Sequence, residues 1–195
     1  KEVMERRTFN KLAGFAGIGT LTGSGSSFFG SDLLLAEQAE KRRRNVWDRY
    51  FLGTAYYPEW WEPSEWEIDF RQMRELGINT VRMGEFAWAS YEPEPGKFQF
   101  DWMDHAIAVA NRNGIDVILS TPTASVPPWL YQQHPDVLAA NALGPYTYGG
   151  RKGYCPNSQN YLDASARITT ALAAHYGRHS GVICWQLDNE PGFPF

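Results

Sequence analysis

Long apolar runs are missing from this chain. The most apolar stretch near its start, residues 12–22, is Gly-rich and too short to cross a bilayer. Cysteine is scarce: Cys155 and Cys184 lie in unrelated segments and form no C-x-x-C pair, so neither a zinc site nor a disulfide framework is indicated. Positive charge is also in deficit. Eighteen Lys and Arg face 22 Asp and Glu, a net charge of −4 that argues against nucleic acid as a partner. The one dense basic cluster is Lys41-Arg42-Arg43-Arg44. Aromatic residues, by contrast, are abundant at 15%, with eight Trp and ten Tyr. Trp-lined clefts suit the apolar faces of sugars, and a Trp-rich core is the alternative. At 195 residues the chain is long enough for one domain with a real core.

Two regimes meet near residue 50. Arg6-Arg7-Thr8-Phe9-Asn10-Lys11 precedes the mild apolar stretch, which is followed by a Gly/Ser-rich linker over 23–31 and a polar run over 37–44. A basic region before a short apolar one has the shape of an export signal, and the paired arginines resemble a bacterial twin-arginine signal. Residues 1–50 are therefore expected to be a disordered export signal and linker, which would place the protein in the periplasm or outside the cell. A basic amphipathic arm is the alternative. The glycines of residues 14–19 have the wrong spacing for a nucleotide loop and no strand before them.

From Tyr50 onward the pattern is regular. Strands are predicted at 51–55, 79–83, 116–120 and 182–186, the third carrying Val117-Ile118-Leu119 in a row, as buried parallel strands require. Between them lie helices over 64–76, 102–113 and 159–176. Ser64 and Glu67 are read as a capping box, Asp101 and Ser158 as caps, and Gly77, Gly114 and Gly177 as stops. Strand–helix alternation with a period near 30 residues predicts an α/β fold: the first half, about four β/α units, of a TIM (β/α)₈ barrel. The loop over 121–157 is read as an insertion before the fourth strand. A closed barrel takes eight strands, so the chain is read as residues 1–50 followed by a partial barrel over 51–195, truncated after its fourth strand. Such a half-sheet would leave an open edge.

The fourth strand ends in Asp188-Asn189-Glu190-Pro191-Gly192. In parallel barrels the carboxyl ends of the strands build the active site. A Glu there could protonate a glycosidic oxygen and an Asn could hold a sugar hydroxyl; a solvated loop is the alternative reading of the same residues. Further segments stand at the other strand ends: Gly53-Thr54-Ala55-Tyr56-Tyr57-Pro58-Glu59-Trp60-Trp61, Val81-Arg82-Met83-Gly84-Glu85-Phe86-Ala87-Trp88, Thr121-Pro122-Thr123-Ala124 with Pro127-Pro128-Trp129-Leu130, and Tyr154-Cys155-Pro156-Asn157. In this order, and closed by Trp185-Gln186-Leu187-Asp188-Asn189-Glu190, they resemble the amino-terminal half of the catalytic barrel of glycoside hydrolase family 42 β-galactosidases.

That resemblance implies a retaining glycosidase for terminal β-D-galactosides, with Glu190 as acid/base and Asn189 on the hydroxyl next to the reacting carbon. The nucleophile would come from a later strand end, beyond Phe195. Arg82 would support that nucleophile electrostatically, or form an ordinary salt bridge of the barrel. Arg151 would bind sugar, with Lys152 as the alternative in a register uncertain by one, and Trp129 would stack on a sugar ring, as Trp61 and Trp88 also could. Burial beside Trp185 is expected to raise the pKa of Glu190 toward its working range. Glu85 is set aside as a nucleophile because it lies only two strands away. The substrate is a small or oligomeric galactoside, no cofactor and no metal are expected, and the full-length protein is expected as a homotrimer. Cys155 matches one ligand of a zinc cluster found in some family members, without partners, and the His175/His179 pair is broken by Gly177. The rival readings are a related glycosidase for β-glucosides or α-L-arabinopyranosides, and an inert sugar-binding fragment.

Overall fold

Three consecutive β-branched or large apolar residues flanked by Asp116 and Ser120 leave little choice but a strand buried on both faces, and Asp116–Ser120 forms the middle of a parallel sheet. A computed structural model describes residues 49–149 and 152–190. The twin-arginine-like segment, the linker and Arg151 lie outside the described residues. The sheet consists of β1 (Gly53–Ala55), β2 (Thr80–Met83), β3 (Asp116–Ser120) and, after a small antiparallel pair β4 (Ala140–Asn141) and β5 (Gly144–Pro145), β6 (Val182–Gln186). Its order is β1-β2-β3-β6, parallel throughout, with a register shift between β3 and β6 at Val117/Ile118.

The helices are α1 (Pro63–Glu75), the single turn α2 (Trp88–Tyr91), α3 (Asp101–Arg112), the short α4 (Pro128–Gln133) and α5 (Gln159–Tyr176). On α5 the buried residues Tyr161, Ala164, Ile168, Leu172 and Tyr176 recur every three or four positions and form one stripe toward the sheet. Val81, Met83, Val117 and Leu119 meet the helices and are fully buried. Their neighbours on the opposite face, the register partners Ala55, Arg82, Ile118 and Cys184, are only half-buried. That is the face a closed barrel turns inward. Among the described residues nothing pairs with the outer edges of β1 or β6.

Two helix starts differ from expectation. Helix α1 begins at Pro63, with Glu62 at the cap and no side-chain cap bond. Proline's fixed φ suits the first helical position, so the helix starts one residue early and Ser64 falls inside the first turn instead of capping it. Asp101 is likewise the first helical residue, behind Phe100 at the cap. Ser158 does cap α5, its hydroxyl accepting from the Tyr161 amide at 3.3 Å. Gly77 and Gly114 take positive φ, and each stop is sealed by a bond reaching five residues back, Ile78 N–H to Met73 and Ile115 N–H to Ala110, both 3.0 Å. The 121–157 segment is not a plain loop: it holds α4, a 3₁₀ turn at Pro135–Val137 and the β4–β5 pair.

Ahead of that segment, directly after α2, Glu92 acts as a hub. It is fully buried; Oε1 accepts from Arg167 Nε (3.0 Å) and Nη2 (2.8 Å) and from the Gly96 amide (2.7 Å), Oε2 accepts from the Trp88 indole (2.8 Å), and its carbonyl takes the Trp129 indole (2.8 Å). The large majority of buried polar side-chain atoms have at least one such partner, and both carboxyl oxygens of Glu92 do.

Candidate active site

Parallel strands bring their carboxyl ends to one rim, and there the described residues Tyr57, Arg82, Phe86, Gln186, Asn189 and Glu190 line a cleft of about 580 Å³. Tyr57 follows β1, Arg82 and Phe86 come from the end of β2, and the last three from β6 and its exit. The segments 51–61, 81–88 and 185–190 thus converge as a barrel requires.

The β6 exit is a tight, strained turn. Asp188 and Glu190 both have positive φ, 57° and 47°. Non-glycine residues hold such angles at a cost of about 1–3 kcal/mol each, so the surroundings must impose them. They do so from β3. Thr121 accepts the Asp188 amide on its hydroxyl at 2.7 Å, Thr123 donates its hydroxyl to the Asp188 carboxylate at 3.0 Å, and the Thr121 amide donates to the Gln186 carbonyl at 3.0 Å. Gln186 completes the clamp, its amide nitrogen donating to the Asp188 carbonyl (2.8 Å) and to Asn189 Oδ1 (3.2 Å). Oδ1 of the buried Asn189 accepts from Gln186, which leaves the amide its NH₂ as a donor, and Asn189 is among the residues that line the cleft.

Glu190 lies on the same wall but is exposed, so the described residues do not supply the burial beside Trp185 expected for it. Arg82 donates through Nε (3.0 Å) and Nη2 (2.6 Å) to Oε1 of Glu85, which is fully buried. Glu85 is therefore a buried counter-ion, withheld from the cleft. Its Oε2 and both carboxyl oxygens of Glu59 are buried without a hydrogen-bond partner among the described residues. Burial pushes the Glu59 carboxyl up to about 7, offset in part by the nearby amide of its own backbone and reinforced by the charge of Glu85. Burial and then Glu85 likewise raise the Tyr57 phenol.

The remaining expected site residues are placed elsewhere. Trp129 is not on the cleft: its indole is tied to Glu92 and its ring lies under the Arg167 guanidinium, 5.6 Å from the centroid. The expected sugar-stacking role of Trp129 is thus not supported by its position, because the Glu92 hub captures it. Trp88 is core, fully buried, and Trp61 borders a separate groove with Tyr56 and Ile68. Lys152 borders a neighbouring cavity instead. His175 binds Asp104 at 2.9 Å and His179 accepts from the Gly181 amide at 3.1 Å, so the two rings serve different partners. Among the described residues no three His, Cys, Asp or Glu side chains gather as a metal-ligand set, and no helix is long and apolar enough to cross a membrane. Sequence reasoning gave no role to Tyr57, Phe86, Gln186, Thr121 or Thr123; all five stand within the quoted strand-end segments, where adjacency to Asn189-Glu190 in space was the missing signal.

The family model of glycoside hydrolase family 42, described as beta-galactosidase, matches residues 55–194. A beta-galactosidase of Thermus thermophilus is 46% identical over 142 residues, 72% of this chain and 22% of its own length. Among solved structures, the beta-galactosidase of the psychrophilic Marinomonas ef1 is similar with a TM-score of 0.70 at 42% identity, covering 73% of this chain and 22% of that one. The polyextremophilic beta-galactosidase of the Antarctic haloarchaeon Halorubrum lacusprofundi gives the same TM-score at 40% identity, with coverage of 73% and 22%. The chain spans about a fifth of the length of the relatives it matches.

Proposed function

Because this chain belongs to glycoside hydrolase family 42, we propose that the polypeptide carrying it is a retaining β-galactosidase with Glu190 as its acid/base. The observation that carries the reading is the Gln186–Asn189 pair. A buried amide whose oxygen accepts from Gln186 and which keeps its NH₂ as a donor lines the same cleft as the Glu190 carboxyl side chain.

The chemistry follows from two carboxyl groups about 5–5.5 Å apart across the glycosidic bond. Glu190 gives its proton to the departing oxygen while a carboxylate from a later strand end, beyond Phe195, attacks the sugar carbon. A covalent galactosyl–enzyme forms; Glu190, now ionised, takes a proton from water, which displaces the carboxylate. Asn189 holds the hydroxyl next to the reacting carbon, where hydrogen bonds that strengthen in the transition state lower the barrier. Arg82, held by Glu85, is assigned to support the nucleophile electrostatically. Arg151 is assigned to a sugar hydroxyl. The burial that would keep Glu190 protonated falls to the rest of the barrel and to bound substrate. Residues 1–50 are assigned to export, and the full-length protein to a homotrimer.

Hydrolysis of nitrophenyl β-D-galactoside and β-D-glucoside by a polypeptide with the complete barrel tests this reading. A kcat/KM for galactoside well above that for glucoside is expected. Preference for the glucoside would reassign the substrate, and turnover of neither would leave a sugar-binding protein.

A further inference from the structure

Four of the buried polar atoms that find no hydrogen-bond partner among the described residues sit on three side chains whose charges act on one another. They are both carboxyl oxygens of Glu59, Oε2 of Glu85 and the hydroxyl of Tyr91. Glu59 comes from the 3₁₀ turn Pro58–Trp60 after β1, Glu85 from the exit of β2 and Tyr91 from α2. We propose that Glu59 is a positioning residue of the cleft: it holds a proton that it shares with Glu85, and that proton keeps Glu85 committed to Arg82. The proposal rests on the glycosidase reading of the cleft, in which Arg82 supports the nucleophile.

Charge and proton counting carry the assignment. Two carboxylates stand against one guanidinium, that of Arg82, so with both ionised one negative charge is left without compensation. A single proton removes it. Glu85 accepts two hydrogen bonds from Arg82 on Oε1, at 3.0 and 2.6 Å, which favour its ionised form. Glu59 has no such donor from another side chain, so the proton falls to Glu59, and burial raises its carboxyl in the same sense. Protonated, Glu59 brings an O–H donor to three acceptor oxygens otherwise served only by the Tyr91 hydroxyl. Gly84 makes room for that hydroxyl: at φ 92° it carries no side chain, and a Cβ there would stand 2.7 Å from the phenol oxygen. The remaining groups that bear on this trio are the Tyr57 phenol beside Arg82 and Glu85 and, through Tyr91, Tyr176 and Asp104, the last with its own partner in His175. They add hydroxyls and negative charge, not a second cation.

Ionisation of Glu59 undoes this arrangement. The donor is lost, two like charges repel, and Arg82, half-buried on the lining of the cleft, is drawn by two carboxylates instead of one. The support assigned to Arg82 therefore weakens as pH rises through about 7.

The test follows kcat/KM for galactose release from methyl β-galactoside at about pH 6 and about pH 8, in the complete-barrel polypeptide and in its Glu59→Gln variant, which keeps a donor and cannot ionise. A group that titrates at about 7 loses its proton almost wholly across that window, so the ratio of the lower-pH to the higher-pH value should be about tenfold smaller in the variant. Titration of Glu190 is common to both proteins and cancels. A ratio within about twofold of the unchanged protein's would overturn the proposal. Infrared difference spectra across the same window need no turnover. A protonated-carboxyl C=O band should vanish, and the Arg82 guanidinium band, identified by its loss in Arg82→Lys, should shift with it; both changes should be absent in Glu59→Gln. If the unchanged protein cleaves no galactoside, the glycosidase reading fails separately and these spectra decide the pair, as they do in the unchanged protein alone if Glu59→Gln does not fold. A missing carboxyl band, or a guanidinium band that stays in place as the carboxyl band goes, would overturn the proposal.

Discussion

Replacing Gln186 by Leu isolates the element on which the site geometry depends. The side chain keeps its approximate volume but loses the donors to the Asp188 carbonyl (2.8 Å) and to Asn189 Oδ1 (3.2 Å). Each bond contributes about 0.5–1.5 kcal/mol net, so about 2 kcal/mol of restraint on the turn and the Asn189 amide is lost. If that restraint acts on the transition state through Asn189, kcat/KM falls roughly 30-fold, at 1.36 kcal/mol per factor of ten. The two threonine bonds to Asp188 remain, so the fold survives. The assay is galactoside hydrolysis by the complete-barrel polypeptide, run in parallel on the analogue lacking the hydroxyl next to the reacting carbon. The loss should shrink to a few-fold on that analogue, since Asn189 then has nothing to hold. A loss of the same size on both substrates, or a change under twofold on the normal one, would refute the reasoning.

Glu92→Gln should destabilise the protein by about 2–4 kcal/mol in urea unfolding, because one buried donor, the Trp88 indole or the Arg167–Gly96 group, must face an NH₂. A shift under 0.5 kcal/mol would contradict the hub. Glu59 has its folded value raised from 4.5 to about 7, so the folded state binds the extra proton and stability falls as pH climbs from about 4.5 to about 7. The full effect is on the order of 3 kcal/mol at 1.36 kcal/mol per pH unit, and Glu59→Gln should flatten that slope in unfolding measured across the window. For the amino-terminal segment, Arg6→Lys with Arg7→Lys should abolish export of a fused reporter in a host with twin-arginine transport; unchanged export would refute that assignment.

The parallel sheet was legible because Val117-Ile118-Leu119 and the residues of β6 are short uninterrupted apolar runs, too brief for a helix, and both strands fall at their predicted bounds. Helix ends were legible where glycine takes a left-handed angle, as at Gly77 and Gly114, and less so at starts, where Pro63 overrode the Ser64 cap. Asn189 and Glu190 could be found because a strand end concentrates polar chemistry in a few adjacent residues. The clamp of Thr121, Thr123 and Gln186 could not, since it joins two strands separated by more than sixty positions. Trp129 shows the complementary limit: an aromatic beside a cleft motif is as ready to donate to a backbone carbonyl, here that of Glu92, as to stack on a sugar.

The central claim, that Glu190 moves the proton of the glycosidic oxygen, is met most directly by Glu190→Ala in the complete-barrel polypeptide, assayed on galactosides of differing leaving group with and without azide. General acid–base catalysis is worth about 10²–10⁴-fold, so the variant should lose that much on methyl β-galactoside. It should lose far less in the first step on a dinitrophenyl galactoside, which needs no proton to depart, and azide should restore turnover by replacing the activated water. Activity within a few-fold of the unchanged protein on methyl β-galactoside, or a loss that neither a better leaving group nor azide repairs, would contradict the account.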